Sequence, residues 1–252
     1  MEIAETIVAA LAGAMVGSFV TVIAHRVPRG ESIVAPRSRC PSCGTQIAAY
    51  DNVPIASWLL LRGRSRCCGS PISPRYPLTE LVLAALFAAT AVRFRGDAGG
   101  IALGLVFVSM LTAITLTDLE RRIIPNRILA VGSVLAVAIV AVADPGSLPE
   151  HLAAAAGAGG LLFIVALAYP RGMGLGDVKL TAVMGLFLGV SVVPALLVAL
   201  ATGSVVGIGL IARHGAAARK RAIPFGPFLA GGGIVALFAG QALIDCYTRS
   251  FT

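Results

Sequence analysis

Two aspartates and four cysteines are the residues of this chain whose types and spacing suit chemistry. Asp118 stands in Thr117-Asp118-Leu119-Glu120-Arg121-Arg122-Ile123-Ile124-Pro125-Asn126, and Asp177 in Gly172-Met173-Gly174-Leu175-Gly176-Asp177-Val178-Lys179. Each lies at the edge of a long apolar run, where an ionisable group is costly and marks function by default. Two carboxylates brought within a few ångströms titrate as a coupled pair, because both cannot ionise easily. One can then act as a base toward water and the other as an acid toward a leaving amine, the chemistry of aspartic proteases. The alternating glycines before Asp177 let backbone come close and take dihedrals denied to other residues. Taken singly, Asp118 reads better as a helix-end charge balanced by Arg121 and Arg122, and Asp177 as an acid favoured by the dipole of the helix it opens. The glycine context and a shared face, derived below, favour the pair. Glu80, near the start of another apolar run, is the third acid that stands out.

Cys40-Pro-Ser-Cys43 has the spacing at which two thiolates share one zinc ion. Cys67 and Cys68 follow as a second pair, but they are adjacent, where ribbon-type sites repeat the C-x-x-C spacing. The residue three before Cys68 is Ser65. Zinc held by Cys40, Cys43, Cys67 and Cys68 requires an unusual turn at the adjacent pair, which Gly69 would ease. The alternative is a metal-free ribbon held by packing of Trp58, Tyr50 and Tyr76 against the membrane face. Cys246 is expected to lie beyond the last helix, without a role.

The elements that must position these groups are membrane helices. Hydrophobic residues make up 57% of the 252 and charged ones only 13%, about half the charge of a soluble domain. Eight apolar runs, near 4–24, 77–94, 100–117, 123–143, 152–169, 177–190, 191–212 and 223–245, approach the ~18 residues that span a bilayer. None alternates as barrel strands do, so each is expected to be a helix that satisfies its own backbone hydrogen bonds in lipid. The sixth run is short and interrupted by glycine. Gly157, Gly159 and Gly160 are expected to serve close helix packing. The first run has Glu2 and Glu5 at its start and Arg26 and Arg29 after it, the reverse of a cleavable signal. It reads as a retained helix with its N-terminus outside.

The net charge of +8 invites a nucleic-acid partner, but its distribution speaks for topology. All but three of the 20 Lys and Arg fall in segments 25–76, 118–127, 170–179 and 213–222; the exceptions are Arg93, Arg95 and Arg249. The positive-inside rule puts those four segments in the cytoplasm, and no nucleic-acid partner is expected. Asp118 and Asp177 then come out on the same cytoplasmic face. The fold class expected is an all-α polytopic membrane protein of about eight transmembrane helices. One cytoplasmic cysteine-bearing loop domain joins the first two. The division is 1–24 as first helix, 25–76 as loop domain and 77–252 as the membrane domain.

At these residues the sequence resembles the prepilin peptidase family, also called type IV leader peptidases, which shares its G-x-G-D motif (here Gly174-Leu175-Gly176-Asp177) with presenilin-type proteases. The likeness runs through Gly17-Ser18-Phe19, Arg26-Val27-Pro28-Arg29-Gly30-Glu31-Ser32, the stretch from Pro36 to Cys43, and Tyr50-Asp51-Asn52-Val53-Pro54. It continues in Arg62-Gly63-Arg64, Pro71-Ile72-Ser73-Pro74-Arg75-Tyr76-Pro77 with Glu80, both aspartate motifs, and Pro224-Phe225-Gly226-Pro227-Phe228. It departs from the family at Ser65, where members with the full loop carry a cysteine.

The resemblance implies a bacterial inner-membrane aspartic endopeptidase that removes the basic leader from type IV prepilins or pilin-like secretion subunits (pseudopilins). Asp118 and Asp177 would be its catalytic pair, with Gly174, Gly176 and Lys179 as motif support. It implies that the loop serves N-methylation of the new terminus from S-adenosylmethionine, with Glu80 a candidate at the methyl-donor site. A peptidase with a purely structural loop and no methylation is the alternative. A transporter or proton relay, which would show internal repeats and carboxylates at mid-bilayer, is the remote one.

Overall fold

The computed structural model describes residues 2–35, 37–170, 172–215 and 224–250. Pro36, Arg171, and the residues Arg219, Lys220 and Arg221 of the expected basic loop lie outside them, as does position 223, where the eighth run was expected to begin. The described residues form nine α-helices and short 3-10 turns: α1 (Glu2–Arg26), α2 (Ala56–Leu60), α3 (Arg75–Arg93), α4 (Ala98–Arg121), α5 (Asn126–Ala143), α6 (Leu148–Ala168), α7 (Leu175–Leu188), α8 (Val192–His214) and α9 (Gly226–Arg249). Among these residues there is no strand, only two isolated bridges, Arg39 with Gln46 and Arg64 with Pro71. The protein is an all-α, multi-pass membrane protein with a cysteine-bearing loop, as expected.

Seven stretches among the described residues are long and apolar enough to cross a membrane, against eight expected runs. The difference lies in Leu175–His214, which is continuous in hydropathy but not in direction. Gly189 takes φ +54 there, a left-handed turn that a side chain would resist. α7 runs antiparallel to α6, with Gly185 against Ala155 and Gly159 against Ala182, while α8 runs antiparallel to α9, with Gly203 beside Phe225 and Phe228. The stretch is therefore two helices, the sixth and seventh of the expected runs. α9 continues to Arg249, so Cys246 sits within the last helix and not beyond it. The expected role of the α6 glycines holds only for Gly159, where a Cβ would come within 2.7 Å of Ala182; Gly157 and Gly160 have open space beside them.

The chain divides into two compact units, Met1–Gly96 and Asp97–Thr252. In the first, α1 and α3 pack antiparallel because Gly13 and Gly17 let backbone touch: a Cβ on Gly13 would stand 2.5 Å from the Leu83 carbonyl oxygen. Beyond α3, Arg95 pairs with Glu2 at 3.1 Å. The second unit has an apolar core of Phe107, Leu111 and Ile114 from α4, Leu180 and Met184 from α7, and Leu229 from α9. Phe107 stacks on Phe187 with ring centroids 4.8 Å apart. This core fixes the helix ends that carry the aspartates.

Candidate functional site

Asp118 occupies the last turn of α4 and is only 5% exposed. The helix stops four residues later, where Arg122 adopts φ 54, ψ 42 and its N–H donates to the Asp118 carbonyl oxygen at 2.8 Å. The carboxylate turns inward: the backbone N–H of Gly226, first residue of α9, donates to Asp118 Oδ2 at 2.9 Å. Only glycine permits this approach, because a Cβ at 226 would lie 2.7 Å from that same oxygen. Pro227 follows at the first turn of α9, where its fixed φ suits a helix start.

Asp177 is the third residue of α7, and its N–H donates to the Gly174 carbonyl oxygen at 3.1 Å. Gly176 faces Ile124, with a Cβ there only 3.2 Å from the Ile124 side chain. Two residues on, Lys179 Nζ donates to Asn126 Oδ1 at 3.1 Å. The loop after Asp118 is thus clamped onto the start of α7 by Ile124 and Asn126, both within the Asp118 motif. The two aspartates come out at one end of the second unit, joined by the contacts of Ile124 and Asn126 with Gly176 and Lys179. Of the residues expected to support the motif, Gly176 and Lys179 make these contacts, and Gly174 supplies the carbonyl that receives the Asp177 N–H.

Gly226 was missed as a site residue when the sequence was read alone. It stands in Pro224-Phe225-Gly226-Pro227-Phe228, which carried the resemblance without a role, and its partner lies 108 residues away. No local pattern joins them.

In the first unit, the two cysteine segments fold into matching knuckles. In the first, Cys40 N–H donates to the Thr45 carbonyl at 2.9 Å and Gly44 N–H to the Cys40 carbonyl at 2.9 Å. In the second, Ser65 N–H donates to the Ser70 carbonyl at 2.8 Å and Gly69 N–H to the Ser65 carbonyl at 2.8 Å. Gly44 and Gly69 take φ +73 and +69. Ser65 therefore occupies the place that Cys40 holds in the other knuckle, and Cys67 reaches the centre from a different position. The sulfur atoms of Cys40, Cys43, Cys67 and Cys68 all lie within 4.8 Å of one another, with Cys40–Cys68 at 3.6 Å and Cys43–Cys67 at 3.2 Å. A zinc tetrahedron with bonds of ~2.3 Å has edges of ~3.8 Å, so the four sulfurs fit such an ion. The N–H groups of Cys43 and Ser42, helped by the Ser70 hydroxyl, lower the Cys40 thiol to about 5. Without a metal, the hydrogen bond with Cys43 pushes Cys67 up to about 12. One corner of the cluster is thus already a thiolate near neutrality.

Glu80, 7% exposed in the second turn of α3, accepts the N–H of Ile55 at Oε2, 2.7 Å away. Ile55 is strained, at φ 60 and ψ −53, with the Ala56 N–H reaching the Pro54 carbonyl at 2.5 Å. This is a positive-φ γ-turn, a rare geometry. Around it Ser57 Oγ donates to the Tyr50 carbonyl at 3.0 Å, and Trp58 Nε1 to the Ile72 carbonyl at 3.0 Å. Tyr50 and Tyr76 are 68% and 49% exposed.

Comparison with known proteins agrees with these features. A family model described as the Bacterial Peptidase A24 N-terminal domain matches residues 11–94, and one described as the Type IV leader peptidase family matches residues 105–212. A protein of Bacillus subtilis (strain 168) named prepilin leader peptidase/N-methyltransferase is 36% identical over 94% of this chain and 95% of its own length. One of the same name from Aeromonas hydrophila is 34% identical over 94% and 91%, and one from Myxococcus xanthus (strain DK1622) 39% over 81% and 63%. No solved structure matches the chain. With the two family models covering the helices that carry both aspartates and the loop that carries the cysteines, the chain belongs to the type IV leader peptidase family.

Proposed function

We propose that Asp118 and Asp177 form an aspartic endopeptidase dyad that removes the basic leader from type IV prepilins or pseudopilins. The new N-terminus is then methylated from S-adenosylmethionine. The observation that carries the peptidase reading is the placement of Asp118: a buried carboxylate held by the Gly226 N–H, with the loop that follows it packed on the start of α7 that bears Asp177. With one carboxylate ionised and its neighbour protonated, the first takes a proton from water attacking the scissile carbonyl. The second gives a proton to the departing amine. The bond to be cut separates a basic leader from an apolar helix, so a site at the helix ends meets it where water and lipid adjoin. The names of the relatives support prepilins as substrates and methylation as the second activity.

In this reading the basic segments, and with them the active site, face the cytoplasm of a bacterial inner membrane, and the N-terminus lies outside. Residues 1–24 serve as first helix, 25–76 as the loop domain of methyl transfer and 77–252 as the peptidase domain. Cys40, Cys43, Cys67 and Cys68 hold a structural zinc ion that ties the two knuckles together. S-adenosylmethionine supplies an electrophilic methyl group on a sulfonium. A carboxylate suits that cation, and Glu80, buried beneath the γ-turn, is the candidate for shaping its pocket.

A second reading, peptidase without methylation, is favoured by one observation, Ser65 at the first position of the second knuckle. Mass spectrometry of a prepilin processed with saturating S-adenosylmethionine separates the two. The bifunctional reading expects loss of the leader and gain of one methyl group. An unmodified new terminus refutes the second activity, and an intact leader refutes both.

A further inference from the structure

We propose that the helix α2, with its exposed leucines, lies in the headgroup layer of the bilayer and anchors the cysteine loop to the membrane surface. The starting point is its attachment. Ile55, the residue before α2, donates its N–H to Glu80, and Glu80 lies five residues beyond Arg75, where α3 begins. At 1.5 Å per residue that is roughly 7 Å along a membrane-spanning helix. The contact therefore holds the start of α2 level with the first two turns of α3, at the end where that helix leaves the membrane. At that level α3 itself presents Leu78 and Leu81, 59% and 56% exposed, to its surroundings.

Composition agrees with position. On α2, Leu59 and Leu60 are 61% and 82% exposed, outward-facing leucines on a helix of five residues. The segment from Val53 to Ser65 contains no acid, while Arg62 and Arg64 directly follow the leucines and are exposed. Exposed leucines with exposed arginines directly after them suit a short helix lying in the interface of an anionic bilayer, while Trp58 packs back on Gly63 inside the loop. The arginine stems can cover apolar surface while their guanidinium groups reach phosphates. The strained turn at Ile55 has a place in this arrangement. It turns the chain between the first knuckle and α2, so that α2 begins against α3 and not out in water.

Trp58 is the single tryptophan of the chain, so its emission reports the depth of α2 without any substitution. The protein is reconstituted into vesicles of phosphatidylcholine and phosphatidylglycerol whose acyl chains carry bromine either just below the headgroup or near the chain end. The expected result is strong quenching by the shallow bromines, weaker quenching by the deep ones, and little by aqueous iodide. In Leu59→Ser/Leu60→Ser the shallow quenching is lost and iodide quenching rises, while leader cleavage in detergent reports that the variant folds. Quenching of the wild type by iodide and not by lipid bromine overturns the proposal, whether or not the double variant folds. So does unchanged quenching in a folded double variant. Absence of lipid quenching, with iodide quenching suppressed only after a prepilin is added, also overturns it, since the leucines would then receive the substrate and not the bilayer.

Discussion

Gly226→Ala is the substitution whose effect follows most directly from the geometry. The added Cβ would stand 2.7 Å from Asp118 Oδ2, 3.1 Å from Cγ and 3.2 Å from Cβ, so the whole short side chain must swing away. The movement breaks the N–H donation at 2.9 Å. A hydrogen bond to a charged group contributes about 1.5–3 kcal/mol, and about 1.4 kcal/mol corresponds to a tenfold change in rate. If the bond holds the carboxylate in its reactive position, kcat/KM for leader removal falls by roughly 10- to 150-fold. The fold should survive, because alanine favours the helix more than glycine does and the clash is with one side chain. Gly231→Ala is the matching control: it lies in α9 too, but nothing stands within 4 Å of its added Cβ. Processing of a prepilin by purified enzyme, followed by gel shift against time, measures both. Equal rates for Gly226→Ala and Gly231→Ala, at equal thermal stability, would refute the claim that Gly226 positions Asp118.

Zinc content measured on purified protein should be stoichiometric in the wild type and in Ser65→Ala, and largely lost in Cys67→Ser, since the serine hydroxyl is not needed as a ligand. Retained zinc in Cys67→Ser removes Cys67 from the ligand set. Zinc affinity should rise with pH through neutrality. Cys40, lowered to about 5, is already a thiolate there, while the Cys67 thiol, raised to about 12 in the metal-free cluster, gives up its proton on binding. A competition titration with a chelator at several pH values reads that slope, and a flat profile contradicts it. Glu80→Ala leaves the Ile55 N–H inside the loop without its acceptor, a loss of about 1–3 kcal/mol. Hydrogen exchange of segment 53–58 should accelerate accordingly, whereas unchanged protection would mean that Glu80 does not hold the turn.

Much of this protein is legible in its sequence because lipid imposes a simple demand: long apolar runs must become helices. The eight runs and the shared end of Asp118 and Asp177 follow from that demand and from charge, and the cysteine cluster follows from the spacing of its thiols. What hydropathy cannot reveal is which helix faces touch, since lipid and protein interior favour the same side chains. Gly157 and Gly160 look like packing residues in sequence, yet only Gly159 meets a neighbour. The break at Gly189 is legible even inside a continuous apolar stretch, since it falls at the end of the sixth expected run; the antiparallel partners of α7 and α8 are not. The fourth corner of the cysteine cluster is different in kind. Adjacent residues normally point apart, and only the turn closed by Gly69 at φ +69 brings Cys67 and Cys68 to one centre. The Gly226–Asp118 bond joins two motifs that each looked complete.

The central claim is that Asp118 and Asp177 together perform the cleavage, and isosteric removal of each charge tests it most directly. Asp118→Asn and Asp177→Asn, reconstituted in bilayers with a prepilin, should each slow leader removal by about 10²–10⁴-fold. The thermal transition should stay near that of the wild type. Wild-type processing by either variant would contradict the dyad.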